Sequence, residues 1–231
     1  MQVENHKEEV PFEHYAGLFA QADAKEMAAR TGVEWDGKEF YVNLLGTEYG
    51  VAHPVYGIRI CHCERSEESP SMVGTLGEGD PSSPLAPQDD RECRALPVPM
   101  QTFLLRYLLE GKQVAWNGNW KTFREMPWGE LYIKPYTGRV LTRAAFTFGT
   151  RLASFKAACE TLGATPVSHG DAGYEFRFLG GYRMQVLVWE GDDEFPPNAQ
   201  ILYSDNFEDG FAPEDRVVAG DILISVIKSK M

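Results

Sequence analysis

Two runs of alternating apolar and polar residues near the C-terminus predict a β-hairpin. Apolar side chains recur at every second position over Tyr174–Phe178 and again over Tyr182–Val188. Such alternation is typical of strands with one buried face, and the Gly180-Gly181 pair between the runs favours a tight turn. A third run, Gln200–Ser204, follows an acidic loop over residues 190–198. The C-terminal third is therefore predicted to be a three-stranded antiparallel meander.

The N-terminal quarter combines one helical pattern with three short strand patterns. Apolar residues at helical spacing predict a single helix from about Phe12 to Arg30. Alternation then predicts strands at Glu39–Leu45, Tyr49–Ala52 and Val55–Ile60. Because these strands follow one another closely, we expect an N-terminal antiparallel meander.

The middle of the chain is mostly helical in pattern. Met100–Glu110 is apolar on nearly every side, which predicts a central, buried helix. Trp116–Tyr132 mixes tryptophans with Asn, Gly and Pro, and it predicts an irregular aromatic loop with one helical turn at Thr122–Glu125. Three more helices are predicted at Arg139–Gly149, Arg151–Leu162 and Pro213–Lys228.

These elements together predict an α+β fold. We expect one domain over residues 1–231, in which the two antiparallel meanders pack with the helices. With 43% hydrophobic and 12% aromatic residues, the chain can bury a sizeable core.

Charge and hydropathy exclude some classes of protein. The formal net charge of −12 argues against nucleic-acid binding, which depends on Lys and Arg at phosphates. No apolar run approaches the ~20 residues that a membrane span needs. The N-terminal residues have no signal-peptide pattern, so we expect a cytoplasmic protein with reduced cysteines. Cys159 lies on an apolar helical stripe, which indicates a buried, inert thiol.

The segment from Cys61 to Pro97 differs in composition from the rest of the chain. It contains five prolines and eight acidic against three basic residues, with almost no apolar periodicity. Such a stretch cannot bury enough apolar area to offset its ordering entropy, so we expect a disordered low-complexity insertion at residues 61–97. The alternative is a metal site formed by Cys61, His62, Cys63 and Cys93. Structural zinc sites usually space paired cysteines by two to four residues, and the gap here is one.

Several phrases in the remaining sequence carry a family resemblance. They are LLRYLLEGKQVAWNGNWKTFREMPWG, SFKAACETLGATPVSHGDAGYEFRFL, VLVWEGDDEFPPNAQILYSDN and APED. These phrases resemble the domain-of-unknown-function family 3786, uncharacterised proteins of anaerobic bacteria and archaea. The resemblance implies an anaerobic redox or corrinoid context, but it brings no catalytic residues and no cofactor, which stays unknown.

The first candidate site is the aromatic loop. Trp116, Asn119 and Trp120 combine rings that stack with an amide that forms hydrogen bonds, a combination suited to a planar or sugar-like ligand. The alternative is that these rings fill the core beneath a long loop. Nucleotide-binding, acyl-transfer and zinc-protease motifs are absent from the sequence.

The second candidate site lies where the acidic loop follows the hairpin. A two-residue turn at Gly180-Gly181 places Leu179 opposite Tyr182, Ala172 opposite Trp189 and Asp171 opposite Glu190. Opposed like charges are unfavourable, so either the acids point into water or a cation or His169 compensates them. The candidate ligand-binding residues here are His169, Asp171, Trp189, Glu190, Asp192, Asp193 and Glu194. Of these, Asp171, Glu190 and Asp192 are the candidates for a divalent metal.

Three classes of function remain open. The first is a non-catalytic ligand-binding or accessory module in anaerobic redox or cofactor metabolism, and the second is a protein–protein adaptor. The third is a carboxylate-based, metal-assisted enzyme. A deep pocket would favour a small-molecule ligand or an enzyme, and a flat exposed apolar face would favour a protein partner.

Overall fold

The structure, a computed structural model, describes residues 9–61 and 96–231. Within these residues, nine strands form one mostly antiparallel sheet in the order β4-β3-β2-β7-β8-β9-β5, with β1 paired to β2 and β6 paired to β7. The strands are β1 (Glu34–Trp35), β2 (Glu39–Leu44), β3 (Thr47–Ala52), β4 (Gly57–Ile60), β5 (Trp120–Thr122), β6 (Thr165–Val167), β7 (Ala172–Leu179), β8 (Tyr182–Trp189) and β9 (Asn198–Ser204).

Helices pack with this sheet, which confirms the predicted α+β fold. They are α1 (Glu9–Gln21), α2 (Ala24–Thr31), α3 (Val98–Glu110), α4 (Gly129–Tyr136), α5 (Arg143–Phe148), α6 (Leu152–Thr161), α7 (Phe207–Gly210) and α8 (Pro213–Lys228). A 3-10 turn precedes α4, and a π-helical stretch, Thr137–Thr142, joins α4 to α5. Among the described residues, no helix is both long and apolar enough to cross a membrane.

The predicted hairpin forms, but its register differs by one residue from the expected pairing. Leu179 lies opposite Tyr182 as predicted, whereas Ala172 lies opposite Val188 rather than Trp189. A bulge between Arg177 and Leu179 causes the shift. The extra residue, Phe178, leaves the β8 ladder, and its carbonyl accepts a hydrogen bond of 2.8 Å from the Leu45 N–H.

The N-terminal helix of the prediction is in fact two helices. The first helix, α1, ends at Gln21, and Asp23 adopts an extended conformation with φ −75° and ψ 118° before α2 begins. The Asp23 carboxylate accepts a hydrogen bond from the Glu26 N–H, so Asp23 acts as the N-cap of α2. The three predicted strands are present, and the last begins at Gly57 rather than Val55 because residues 53–56 form a turn.

The expectation of a loop over Trp116–Tyr132 is only partly right. Trp120–Thr122 forms the edge strand β5 by pairing with β9, and α4 begins at Gly129. The helical turn predicted at Thr122–Glu125 is present as the 3-10 turn. Pairing with a distant strand, which local composition does not encode, orders this segment.

The core confirms the predicted central helix. Leu104, Leu105 and Leu108 of α3 are fully buried, and Cys159 of α6 is buried as well. Burial strongly raises the pKa of the Cys159 thiol, which keeps it protonated. Most of the predicted insertion, residues 62–95, lies outside the described residues, as do His62, Cys63 and Cys93. The fold resumes before Val98, since Leu96 belongs to the buried core.

Candidate functional site

The acidic loop meets the start of β7 at one end of the sheet. The Asp171 carboxylate accepts a hydrogen bond of 2.8 Å from the Glu190 N–H, and the Asp171 N–H donates to the Val188 carbonyl at 2.9 Å. Within the loop, one Asp192 carboxylate oxygen accepts hydrogen bonds from the N–H groups of Glu194 and Phe195. These two carboxylates therefore satisfy backbone donors and hold the loop in shape.

The remaining predicted residues of this site do not converge on a point. His169, Glu190, Asp193 and Glu194 are all exposed. Trp189 is partly exposed at the end of β8. No group of three or more His, Cys, Asp or Glu side chains in residues 9–61 and 96–231 is placed to hold a metal ion. The role of these residues in binding a ligand stays a prediction.

The aromatic loop is anchored to the end of β9. The Trp116 indole N–H donates to the Asn119 carbonyl, and the Asn119 side-chain amide donates to Asp205. The rings of Trp116 and Trp120 meet edge to face at 5.2 Å, and the Arg183 guanidinium lies over the Trp116 ring. Both rings lie outside the main core cluster, so they do not fill the core beneath the loop.

A different cleft combines burial, charge and an aromatic wall. It has a volume of about 320 Å³ and lies between the end of α3, the Pro127-Trp128 segment, α7 and the first turn of α8. Its charged lining includes Arg106, Glu110, Lys112 and Asp215. This volume is at the lower end of the range typical of small-molecule sites.

The buried pair Arg106–Asp215 forms one wall of the cleft. Arg106 Nε lies 2.8 Å from Asp215 Oδ1, and only 9% of the Asp215 side chain is exposed. Burial raises the pKa of the Asp215 carboxyl to about 6, although the Arg106 charge opposes the shift. Asp215 can therefore change its protonation state near neutral pH, which is a feature of many functional sites.

The same pair also borders a second cavity. This cavity, of about 430 Å³, is lined mainly by apolar groups of α1, α3 and α8, including Phe103 and Val218. Arg106 also donates a hydrogen bond of 2.8 Å to the Tyr15 hydroxyl of α1 and lies over the Tyr15 ring. The Arg106–Asp215 pair thus lines both cavities.

Arg216, the next residue on α8, fixes the floor of the cleft. Its guanidinium donates to the carbonyls of Pro127, Glu208 and Phe211 at 2.8–3.0 Å. The side chain is only 2% exposed, and no carboxylate of the described residues lies within ion-pair distance. Arg216 therefore ties the Trp128 segment and α7 to the start of α8.

Trp128 stands at the mouth of the cleft in an unusual conformation. Its φ of 66° lies in the left-handed region, which is rare for a bulky residue, and its side chain is 70% exposed. A large apolar ring held exposed in a strained conformation is typical of a binding wall, because burial in the protein itself does not explain it.

Sequence reasoning missed this cleft. Arg106 and Asp215 belong to separate helices, and the helical patterns that predicted α3 and α8 carry no information on their contact. The one available signal was that two of the phrases carrying the resemblance contribute to the cleft: LLRYLLEGKQVAWNGNWKTFREMPWG with Arg106 and Trp128, and APED with Asp215.

Comparisons with known proteins agree with that resemblance. The model of a family described as a domain of unknown function, DUF3786, matches residues 84–226, which include α3 to α7, β5 to β9 and most of α8. No curated protein and no solved structure matches the chain. Since the match covers more than half of the chain, the protein belongs to the DUF3786 family.

Proposed function

We propose that this protein is a non-catalytic module that binds a small molecule in the cleft between α3 and α8. The observation that carries the proposal is the Arg106–Asp215 pair, which is buried but borders the cleft. The context that the family resemblance implies, anaerobic redox or cofactor metabolism, is part of the proposal.

The energetic cost of the pair supports a binding role. Burying two charges costs several kcal/mol per ion, and apolar residues of similar size often stabilise a fold as well or better. The Asp215 pKa of about 6 indicates that Arg106 does not fully compensate this cost. A costly polar pair beside a cleft is readily explained by a ligand that it contacts.

Native mass spectrometry of protein purified anaerobically from its host tests the proposal. We expect a non-covalently bound small molecule on the natural protein and its loss from the Trp128→Ala variant. Phe146→Ala is the matched control, because Phe146 is also an exposed aromatic residue, at 56%, but lies on α5. A natural protein without any bound molecule, or a Trp128→Ala variant that retains it, would contradict the proposal.

A protein–protein adaptor is the second candidate, and exposed aromatic side chains favour it. Phe195 of the acidic loop is 68% exposed, and Pro197, two residues later, lies against Gly149 at the end of α5. Phe195 is therefore an exposed aromatic side chain within a loop that carries four carboxylates, and Phe146 is exposed on α5, whose end this loop meets. An adaptor would co-purify with a protein that Phe195→Ser releases and Trp128→Ala retains.

A further inference from the structure

We propose, building on the proposed function, that the cleft binds a planar lactam heterocycle. The ring would carry an N–H next to a C=O; this edge would pair with Asp215 and Arg106, and the ring face would lie on Trp128.

The wall of the cleft that Arg106 and Asp215 form, its polar wall, offers a hydrogen-bond acceptor beside a donor. Arg106 Nε is buried and has no hydrogen-bond partner of good geometry among the described residues, although Asp215 Oδ1 lies 2.8 Å away. Arg106 uses Nη1 to donate to Tyr15, whereas its Nη2 makes no hydrogen bond within residues 9–61 and 96–231 and lies 3.7 Å from a Glu110 carboxylate oxygen. A carboxylate oxygen and a free guanidinium N–H in contact match the N–H and C=O of a lactam edge.

A neutral ligand fits this wall better than an ion does. The Arg106–Asp215 pair combines one cation with one anion, and Glu110 and Lys112 add one charge of each sign to the lining, so a ligand with a net charge would be repelled by one member of the pair. The site also penalises charge, since burial holds the pKa of Asp215 above its usual range. A lactam supplies the complementary dipole without bringing a further charge that must lose its hydration.

The apolar wall indicates a flat ring. Trp128 follows Pro127, whose carbonyl accepts a hydrogen bond from Arg216, the neighbour of Asp215 on α8. This contact fixes the aromatic wall near the polar wall. A cleft of about 320 Å³ has room for a fused two-ring heterocycle stacked on an indole.

Lumazine, a two-ring lactam, is the probe, and 1,3-dimethyllumazine is its matched control because methylation removes both lactam N–H donors. Isothermal titration calorimetry on the full chain should give a dissociation constant below about 1 mM for lumazine. We expect binding of the dimethyl compound to be weaker by roughly tenfold or more, because Asp215 loses its donor. Trp128→Ala should weaken lumazine binding by roughly fivefold or more through the lost stacking, and Phe146→Ala should not.

Three results with lumazine and its dimethyl derivative would overturn the inference. They are no lumazine binding at about 1 mM, equal affinity for the two compounds, and unchanged affinity in Trp128→Ala. Tighter binding of a zwitterionic amino acid such as leucine would also overturn it, because the pair would then recognise charges. If native mass spectrometry still detects another small molecule that Trp128→Ala releases, only the ligand class is wrong and the proposed function stands.

Discussion

Replacing Arg216 by Met removes the charged group that joins three segments at the floor of the cleft. Met has a similar reach and fills much of the same space, so the variant leaves little cavity. The carbonyls of Pro127, Glu208 and Phe211 lose their donor, and burial limits the access of water to them. The change therefore tests hydrogen bonding rather than packing.

The expected loss is large because the three bonds outweigh the cost of burying the guanidinium. A hydrogen bond to a charged group contributes about 1.5–3 kcal/mol, so three contribute roughly 5–9 kcal/mol in total. Burying the charge costs several kcal/mol, which Met avoids. The free energy of unfolding should therefore fall by about 3 kcal/mol in Arg216→Met.

Urea denaturation followed by circular dichroism and tryptophan fluorescence measures this loss. Arg216→Lys should recover part of the stability, because an ammonium group still reaches one or more carbonyls. Arg124→Met is the matched control, since Arg124 forms an exposed ion pair with Glu130 and should contribute less than about 1 kcal/mol. A loss below about 1 kcal/mol in Arg216→Met would refute the reasoning.

Three further predictions concern stability. Leu105→Ala should lower the free energy of unfolding by about 2–5 kcal/mol in urea denaturation, because Leu105 is fully buried; a loss near zero would place α3 at the periphery. The Asp215 carboxyl has a pKa of about 6 in the folded protein, above its value of about 3.9 in the unfolded chain. Its contribution to the free energy of unfolding is therefore greatest below about pH 4, where the carboxyl is protonated in both states, and is lost as the pH rises through 6. Relative to Asp215→Asn, the natural protein should thus lose about 3 kcal/mol between about pH 4 and 7, and parallel pH profiles would contradict this. Trp128→Gly should be more stable than Trp128→Ala by about 1 kcal/mol, because only glycine adopts a φ of 66° without strain; equal melting temperatures would contradict it.

Helices and strands that depend only on the pattern of their own residues were predicted well. The final helix runs over the predicted Pro213–Lys228, and the alternating runs form β7 and β8. The bulge at Phe178 was not predicted, because it depends on a hydrogen bond with Leu45, which is remote in the sequence. A single extra residue then moved every pair beyond it by one position.

The candidate site was harder to predict for the same reason. The acidic loop and Asp171 do meet, as the hairpin pattern indicated, but their contact is a carboxylate on a backbone N–H. The sequence does not pair Arg106 with Asp215, because Arg106 is a charged residue in an otherwise mostly apolar helix and an acidic residue in the first turn of a helix, such as Asp215, is normally solvated. Only the crossing of α3 and α8 buries them together.

Within the described residues, β2 and β7 pair at one position, Leu44 opposite Leu179, beside the hydrogen bond from the Leu45 N–H to the Phe178 carbonyl. This short contact is a seam between the two meanders of the sheet. So few backbone bonds make the seam a natural boundary between cooperative unfolding units, whose amide protons exchange with solvent separately. The N-terminal unit is held instead by α3, where Arg30 of α2 donates to the carbonyls of Leu108 and Gly111. Opening of that unit also withdraws Tyr15 from Arg106, so binding of the proposed ligand in the cleft would be thermodynamically linked to exchange in the N-terminal strands.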